Sequence, residues 1–150
     1  MRPVDFDRVS VESSPGVEST VTLASRFRRL IGQGIDAVIG FSPLVFAAFR
    51  VASGSSSSVW GASFIIAGIA WVGFYHFFAD ALNEGQSVGK LWLGMRVIDS
   101  RTGAPCTYYQ SFVRNLLLSI AGPLDWIFIF GERRQRLGDA LAGTIVVEAS

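Results

Sequence analysis

The chain has 150 residues, half of them hydrophobic and only 17% charged, with a formal net charge of +1. That composition fits a small integral membrane protein better than a soluble domain of the same length, and the near-zero net charge argues against a nucleic-acid surface. A single cysteine, Cys106, excludes an internal disulfide and a cysteine-held metal cluster, and a single histidine, His76, excludes a two-histidine zinc motif.

The first 25 residues are polar, with serine, glutamate and two prolines, and contain no apolar run of signal-peptide type. Residues 1–23 are therefore expected to form a polar, disordered tail, and the first apolar segment an uncleaved anchor. Three hydrophobic stretches follow. The first, about 30–50, would be roughly 30 Å long as a helix, and Pro43 is expected to kink it. The second, about 59–79, has no formal charge and is the strongest span. A Ser-Gly-Ser-Ser-Ser-Ser loop at 53–58 joins them.

The third stretch, about 108–130, is interrupted by Gly122, Pro123 and Asp125. Tyr109, Phe112, Val113, Leu116, Leu117 and Ile120 fall on one helical stripe, with Gln110, Ser111, Arg114, Asn115 and Ser119 opposite. This predicts an amphipathic helix at the membrane surface, followed by a short second arm over 124–130, as a re-entrant hairpin. Arg26, Arg28 and Arg29 before the first span place the N-terminus in the cytoplasm. If the third stretch dips in and returns, only Arg50 of the thirteen basic residues lies outside, so both termini are read as cytoplasmic.

Between the second and third stretches, residues 91–107 read as a small hairpin with its turn at 100–103. The β-branched run Thr144-Ile145-Val146-Val147 is expected to pair with it. The expected fold is mainly α and membrane-embedded: two transmembrane helices, an amphipathic or re-entrant helix hairpin at the cytoplasmic interface, and a small cytoplasmic β element.

Several ordered motifs carry a family resemblance. They are Arg29-Leu30-Ile31 through Ile35-Asp36, Gly85-Gln86-Ser87-Val88-Gly89-Lys90, Leu93-Gly94-Met95-Arg96-Val97-Ile98-Asp99, Arg114-Asn115, and the terminal run from Gln135 to Thr144. Over residues 24–148 the chain resembles the RDD family of membrane proteins, named for one arginine and two aspartates. The resemblance implies a bacterial inner-membrane protein and places the arginine at Arg29, the first aspartate at Asp36 and the second at Asp139. It implies little about activity, although transport of an unidentified ligand, including sodium/proton exchange, has been suggested for the family.

Asp36 lies inside the first span, where an unpaired carboxylate costs on the order of 3 kcal/mol. Arg29, Gln33 and Asp36 share one helix face, because steps of four and three residues return to the same side. Arg29 and Asp36 are about 10 Å apart along the axis, so Gln33 or a water is expected to bridge them. Two readings stand: an ion or ligand site facing the interior, or a structural stripe in which Arg29 reaches headgroups and Asp36 bonds a neighbouring segment. Asp139 is expected to cap a short helix or pair with Arg29 or Arg114. Asp125, near the tip of the hairpin, ranks second.

The Gly85–Lys90 turn fails the phosphate-loop pattern: three residues separate Gly85 from Gly89, and Leu91 stands where Ser or Thr is needed. It is read as placing Lys90 at the lipid headgroups. His76 and the four tryptophans are read as interfacial anchors, and Cys106 is assigned no role. Gly61, Ser63, Ala67, Gly68 and Gly73 form a helix-packing face for self-association or a partner subunit.

The expected partners are the bilayer, its anionic headgroups and a homo-oligomer or larger membrane complex. No cofactor, metal or enzymatic activity is expected. The preferred reading is an accessory, assembly or binding module. The alternative is an oligomeric ion-coupled transporter, because two spans cannot enclose a pathway alone.

Overall fold

A computed structural model describes residues 8–14, 17–54, 57–122 and 135–149 of the chain. Helix α1, Arg26–Ala52, starts at Ser25, whose hydroxyl accepts the Arg28 N–H at 3.3 Å. Pro43 leaves the Ile39 carbonyl without its usual helical donor. The Ser42 hydroxyl donates to that carbonyl at 3.0 Å, and the helix continues through Pro43.

Helix α2, Ser58–Phe78, packs along α1. Its buried positions Gly61, Gly68 and Tyr75 recur every seventh residue, which keeps one seam toward the partner. At Gly68 a Cβ would sit 2.9 Å from the Leu44 Cα, so glycine sets how closely the two backbones approach. Ser63 and Ala67, expected on the same packing face, are exposed. Val38, Val45, Phe46 and Phe49 of α1 and Val59, Trp60, Ile66 and Ile69 of α2 also point outward. Both helices are long and apolar enough to cross a bilayer.

A 3₁₀ turn, Ala79–Ala81, leads to the short helix α3, Val88–Trp92, which lies against α1. Strand β3, Met95–Asp99, pairs antiparallel with the C-terminal strand β4, Thr144–Glu148, from Met95↔Glu148 to Asp99↔Thr144. This is the expected partnership. The return from the 100–103 turn contributes a single bridge, Pro105 to Ile98, instead of a second full strand.

Residues 8–22 differ from the disordered tail expected over 1–23. Strands β1, Arg8–Ser14, and β2, Val17–Thr22, form an antiparallel hairpin. Val9, Val11, Val21 and Leu23 alternate with polar residues and pack on Ile98, Ile145 and Val147. The period-two apolar pattern buries one face of the hairpin, and the polar composition of this segment conceals it. The other side of the β3–β4 pair packs Met95, Val97 and Val146 with Ala24 and Cys106.

Helix α4, Tyr108–Ala121, begins in a capping box between Thr107 and Gln110. The polar and apolar stripes expected from the sequence point in opposite directions. Ser111, Arg114 and Asn115 are buried against the rest of the protein, whereas Tyr109 and Ile120 are 76% and 75% exposed. The polar face finds its partners inside the protein, and the apolar face is the one turned to the surroundings. The proposed second arm at 124–130 lies outside the described residues. Helix α5, Leu137–Ala142, packs on α4 and ends at Gly143, whose φ of +66° makes the left-handed turn into β4.

Gly138 is where α5 touches α4: a Cβ there would overlap the Arg114 carbonyl oxygen. Gly138→Ala should therefore cost about 1–3 kcal/mol of stability. The control, Gly73→Ala, meets nothing within 4 Å. A detergent-solubilised thermal melt should show a lower Tm for the first variant and none for the second.

Candidate functional site

The polar residues inside the protein form a ladder of alternating charge beside the N-terminal part of α1 and the C-terminal end of α2. Its first rung is Asp36. The carboxylate accepts hydrogen bonds from the Tyr75 hydroxyl at 2.9 Å, the Ser87 hydroxyl at 2.5 Å and the Gly89 N–H at 2.8 Å. Gly89 is required for this approach, since a Cβ would overlap the Gly32 carbonyl oxygen and press on the Asp36 carboxyl. Lys90 stands 3.9 Å from Asp36 and forms its closer ion pair with Asp80.

Asp80 continues the ladder. Its second oxygen lies 3.5 Å from Arg114 Nε and 3.5 Å from the Asn115 amide. Arg114, 1% exposed, then reaches Asp139 with Nη2 at 2.9 Å. Asp139, fully buried, sits in the first turn of α5 and accepts the Arg136 N–H at 3.3 Å, with the Arg136 guanidinium at 3.6 Å. Arg29 closes the ladder from α1. Its Nη1 lies 3.8 Å from Asp139, and its Nη2 donates to the Val146 carbonyl at 2.8 Å. Five segments far apart in the chain are thus joined by charge.

Burial alone would push the Asp139 carboxyl up. The Arg114, Arg136 and Arg29 guanidiniums outweigh it and hold the group below its ordinary value of 3.8. Burial likewise works against the charged form of Arg114, and Asp139 and Asp80 outweigh it, so this side chain stays a cation. Burial pushes the Cys106 thiol up to about 11, which leaves it protonated and unreactive at neutral pH.

The sequence-predicted site residues divide. Arg29, Arg114 and Asp139 come together. Asp36 joins them only through Lys90, Asp80 and Arg114. Arg29 and Asp36 do not pair, and Gln33 does not bridge them: among the described residues its side chain forms no hydrogen bond. The separation along α1 is too long for a direct pair, and each end finds a closer partner on another segment. Asp125 lies outside the described residues. Lys90 differs from its expected place at the headgroups, because its side chain is 12% exposed and lies between two carboxylates.

Asp80, Tyr75, Ser87 and Arg136 were not singled out from the sequence. Asp80 carries a readable signal, a carboxylate directly following an apolar span. Lys90 and Arg136 lie in the Gly85–Lys90 and Gln135–Thr144 runs that carry the family resemblance.

Between α1, α2 and α4, beside the Asp36–Lys90–Asp80 part of the ladder, lies a cavity of about 210 Å³. Gln33, Asp36, Lys90, Asp80, Asn115 and His76 supply its polar lining. Phe41, Val72 and Leu118 are among its apolar walls. His76 is a cavity residue, its Nε2 2.9 Å from the Ser119 hydroxyl.

The sequence profile of the RDD family matches residues 23–143. An uncharacterised protein of Haemophilus influenzae is 27% identical over 143 residues, covering 91% of this chain and 85% of its own. No solved structure matches the chain.

Because the Asp139 carboxyl is held below its unfolded value, its ionisation stabilises the fold above about pH 4 and that contribution fades as pH falls through the lower folded value. Asp139→Asn should lower stability by about 3–5 kcal/mol at pH 7 by leaving arginines without their counter-charge. Thermal melts from pH 7 to pH 3 should converge for wild type and variant as the acid limit is approached.

Proposed function

This chain belongs to the RDD family of membrane proteins, and from that premise we propose that it is a small membrane binding module. The Asp36–Lys90–Asp80 cavity takes the ligand, and the Arg114–Asp139–Arg29 part of the ladder holds the receptor together. The observation that carries this reading is the cavity itself: about 210 Å³, walled by apolar residues of both long helices and floored by charge. Drug-sized ligands occupy pockets of about 300–1,000 Å³, and a cavity of about 150 Å³ takes benzene, so the occupant has on the order of ten heavy atoms, or is one end of an amphiphile entering between the helices. Gln33 and Asn115 offer hydrogen-bonding amides to its polar end, and Phe41, Val72 and Leu118 take its apolar part.

We place the protein in the bacterial inner membrane with both termini cytoplasmic. The clustering of Arg26, Arg28 and Arg29 at the start of the first span supports that orientation. The outward apolar side chains of α1, α2 and α4 meet lipid, or a second copy or larger membrane complex for which the module is an accessory. The reading assigns binding and assembly, and no bond-making step.

The ion-coupled alternative keeps one supporting observation, the two carboxylates that share Lys90 beside the cavity. It requires an oligomer, since two spans do not enclose a path.

Ala37 lines the cavity and takes no part in the charge ladder. Ala37→Leu should fill the space while leaving Tm within a few degrees of wild type. Native mass spectrometry of the gently solubilised protein should show a small bound species in wild type that the variant lacks. Equal adducts in both proteins would remove the cavity from the function. Cation flux in vesicles, present in wild type and lost in Asp36→Asn with the oligomer intact, would replace binding by transport.

A further inference from the structure

Each carboxylate oxygen beside the larger cavity already has a donor or a cation against it. Asp36 Oδ1 accepts from Tyr75 and Gly89, and its Oδ2 from Ser87. Asp80 Oδ1 takes Lys90, and its Oδ2 faces Arg114 and Asn115. Lys90 donates to Asp80 and Ser87 and stands 3.9 Å from Asp36. A cationic head in the cavity would compete with Lys90 for its carboxylates. An anionic head would meet two carboxylates and a lysine already held by both. A smaller space of about 20 Å³, also lined by Gln33 and Lys90, lies among Arg29, Arg114, Arg136 and Asp139 and has room for a water.

The polar groups left over at the larger cavity are uncharged. The Ser119 hydroxyl spends its hydrogen on the Asn115 backbone carbonyl at 3.0 Å, so the 2.9 Å contact between Ser119 and His76 is donated by the His76 Nε2–H. In the neutral ring Nδ1 then carries a lone pair, and it accepts nothing among the described residues. The Asn115 side chain gives one N–H to Asp80 at 3.5 Å, which leaves its second N–H and its Oδ1. The Gln33 side chain forms no hydrogen bond among the described residues. These three residues stand on α2, α4 and α1 around one cavity and together offer acceptors and donors without charge. Phe41 lines the α1 side and is 52% exposed, so that wall continues onto the outer apolar surface of the span.

We propose, resting on the reading of this cavity as a ligand pocket, that its ligand is a single-chain membrane amphiphile whose uncharged head both donates and accepts hydrogen bonds, a hydroxyl or a carboxamide. The head donates to His76 Nδ1 and meets the Gln33 and Asn115 amides. The tail runs past Phe41, Val72 and Leu118 into the bilayer. His76 is the residue that selects a donor.

The test is photolabelling of the full chain in phosphatidylcholine nanodiscs with a diazirine-bearing octanol, mapped by peptide mass spectrometry. 1-Octanol and octanamide should displace the label from the cavity-lining segments with midpoints at least about tenfold below those of octylammonium and octanoate, a buried unpaired charge costing more than one hydrogen bond. The octanol midpoint should rise about tenfold in His76→Phe and in Gln33→Leu, one hydrogen bond being worth that much. Gln33→Leu removes no hydrogen bond among the described residues, so that variant should fold. Displaceable labelling that Ala37→Leu lacks, with octylammonium or octanoate as the stronger competitor, would keep the pocket and overturn the uncharged head. An octanol midpoint unchanged in both His76→Phe and Gln33→Leu would overturn it as well. Labelling that is equal in wild type and Ala37→Leu would overturn the pocket itself, and this proposal with it.

Discussion

An ionised side chain withdrawn from water has to be paired, and the interior of this protein is arranged around that requirement. Asp80, Arg114 and Asp139 are nearly inaccessible, and Arg29 and Arg136 scarcely less buried. Each such charge left alone would cost several kcal/mol. The solution is an alternating series in which every carboxylate touches at least one cation and most cations touch a carboxylate from another segment. Lys90 joins Asp36 to Asp80, and Arg114 joins Asp80 to Asp139. Because these groups come from α1, the 3₁₀ turn, α3, α4 and α5, satisfying the charges is the same event as assembling the fold.

Other features follow from that requirement. The polar side of α4 turns inward because its partners are inside, which leaves the apolar side for the surroundings. Glycines stand where segments must approach closely enough for the pairs to form: Gly89 lets α3 reach the Asp36 carboxylate, and Gly138 lets α5 lie on α4 beside Arg114. The β3–β4 pair anchors the C-terminal end of the ladder, since Arg29 also bonds the Val146 carbonyl. The two cavities lie on either side of Gln33 and Lys90, which line both. The larger cavity thus has a shape set by the charges beside it.

Much of this was legible in the sequence. Two long apolar runs predict α1 and α2, and the β-branched run at 144–147 is expected to pair with the 91–107 hairpin, which it does at residues 95–99. Asp36 stands out because a carboxylate inside an apolar run demands a partner. What could not be read is which partner. The helical period places Arg29, Gln33 and Asp36 on one face, but it says nothing of Tyr75, Ser87 or Asp139, which arrive from other segments. For the same reason Lys90 reads as a headgroup contact, although Asp80 claims it. The two faces of α4 were legible from its amphipathic period, but the partners of the polar one were not, because Phe77, Asp80 and Asp139 come from other segments. The β1–β2 hairpin was lost because polar composition outweighed a short alternation of valines.

The most direct test of the charge ladder is a double-mutant cycle across its most buried rung, with Arg114→Met, Asp139→Leu and the double variant compared by unfolding in detergent. Both side chains are 1% exposed and lie 2.9 Å apart. The account predicts that each single variant is strongly destabilised, that the double variant is more stable than either, and that the coupling energy is about 2–3 kcal/mol. Additive losses, with the double variant the least stable of the three, would contradict it.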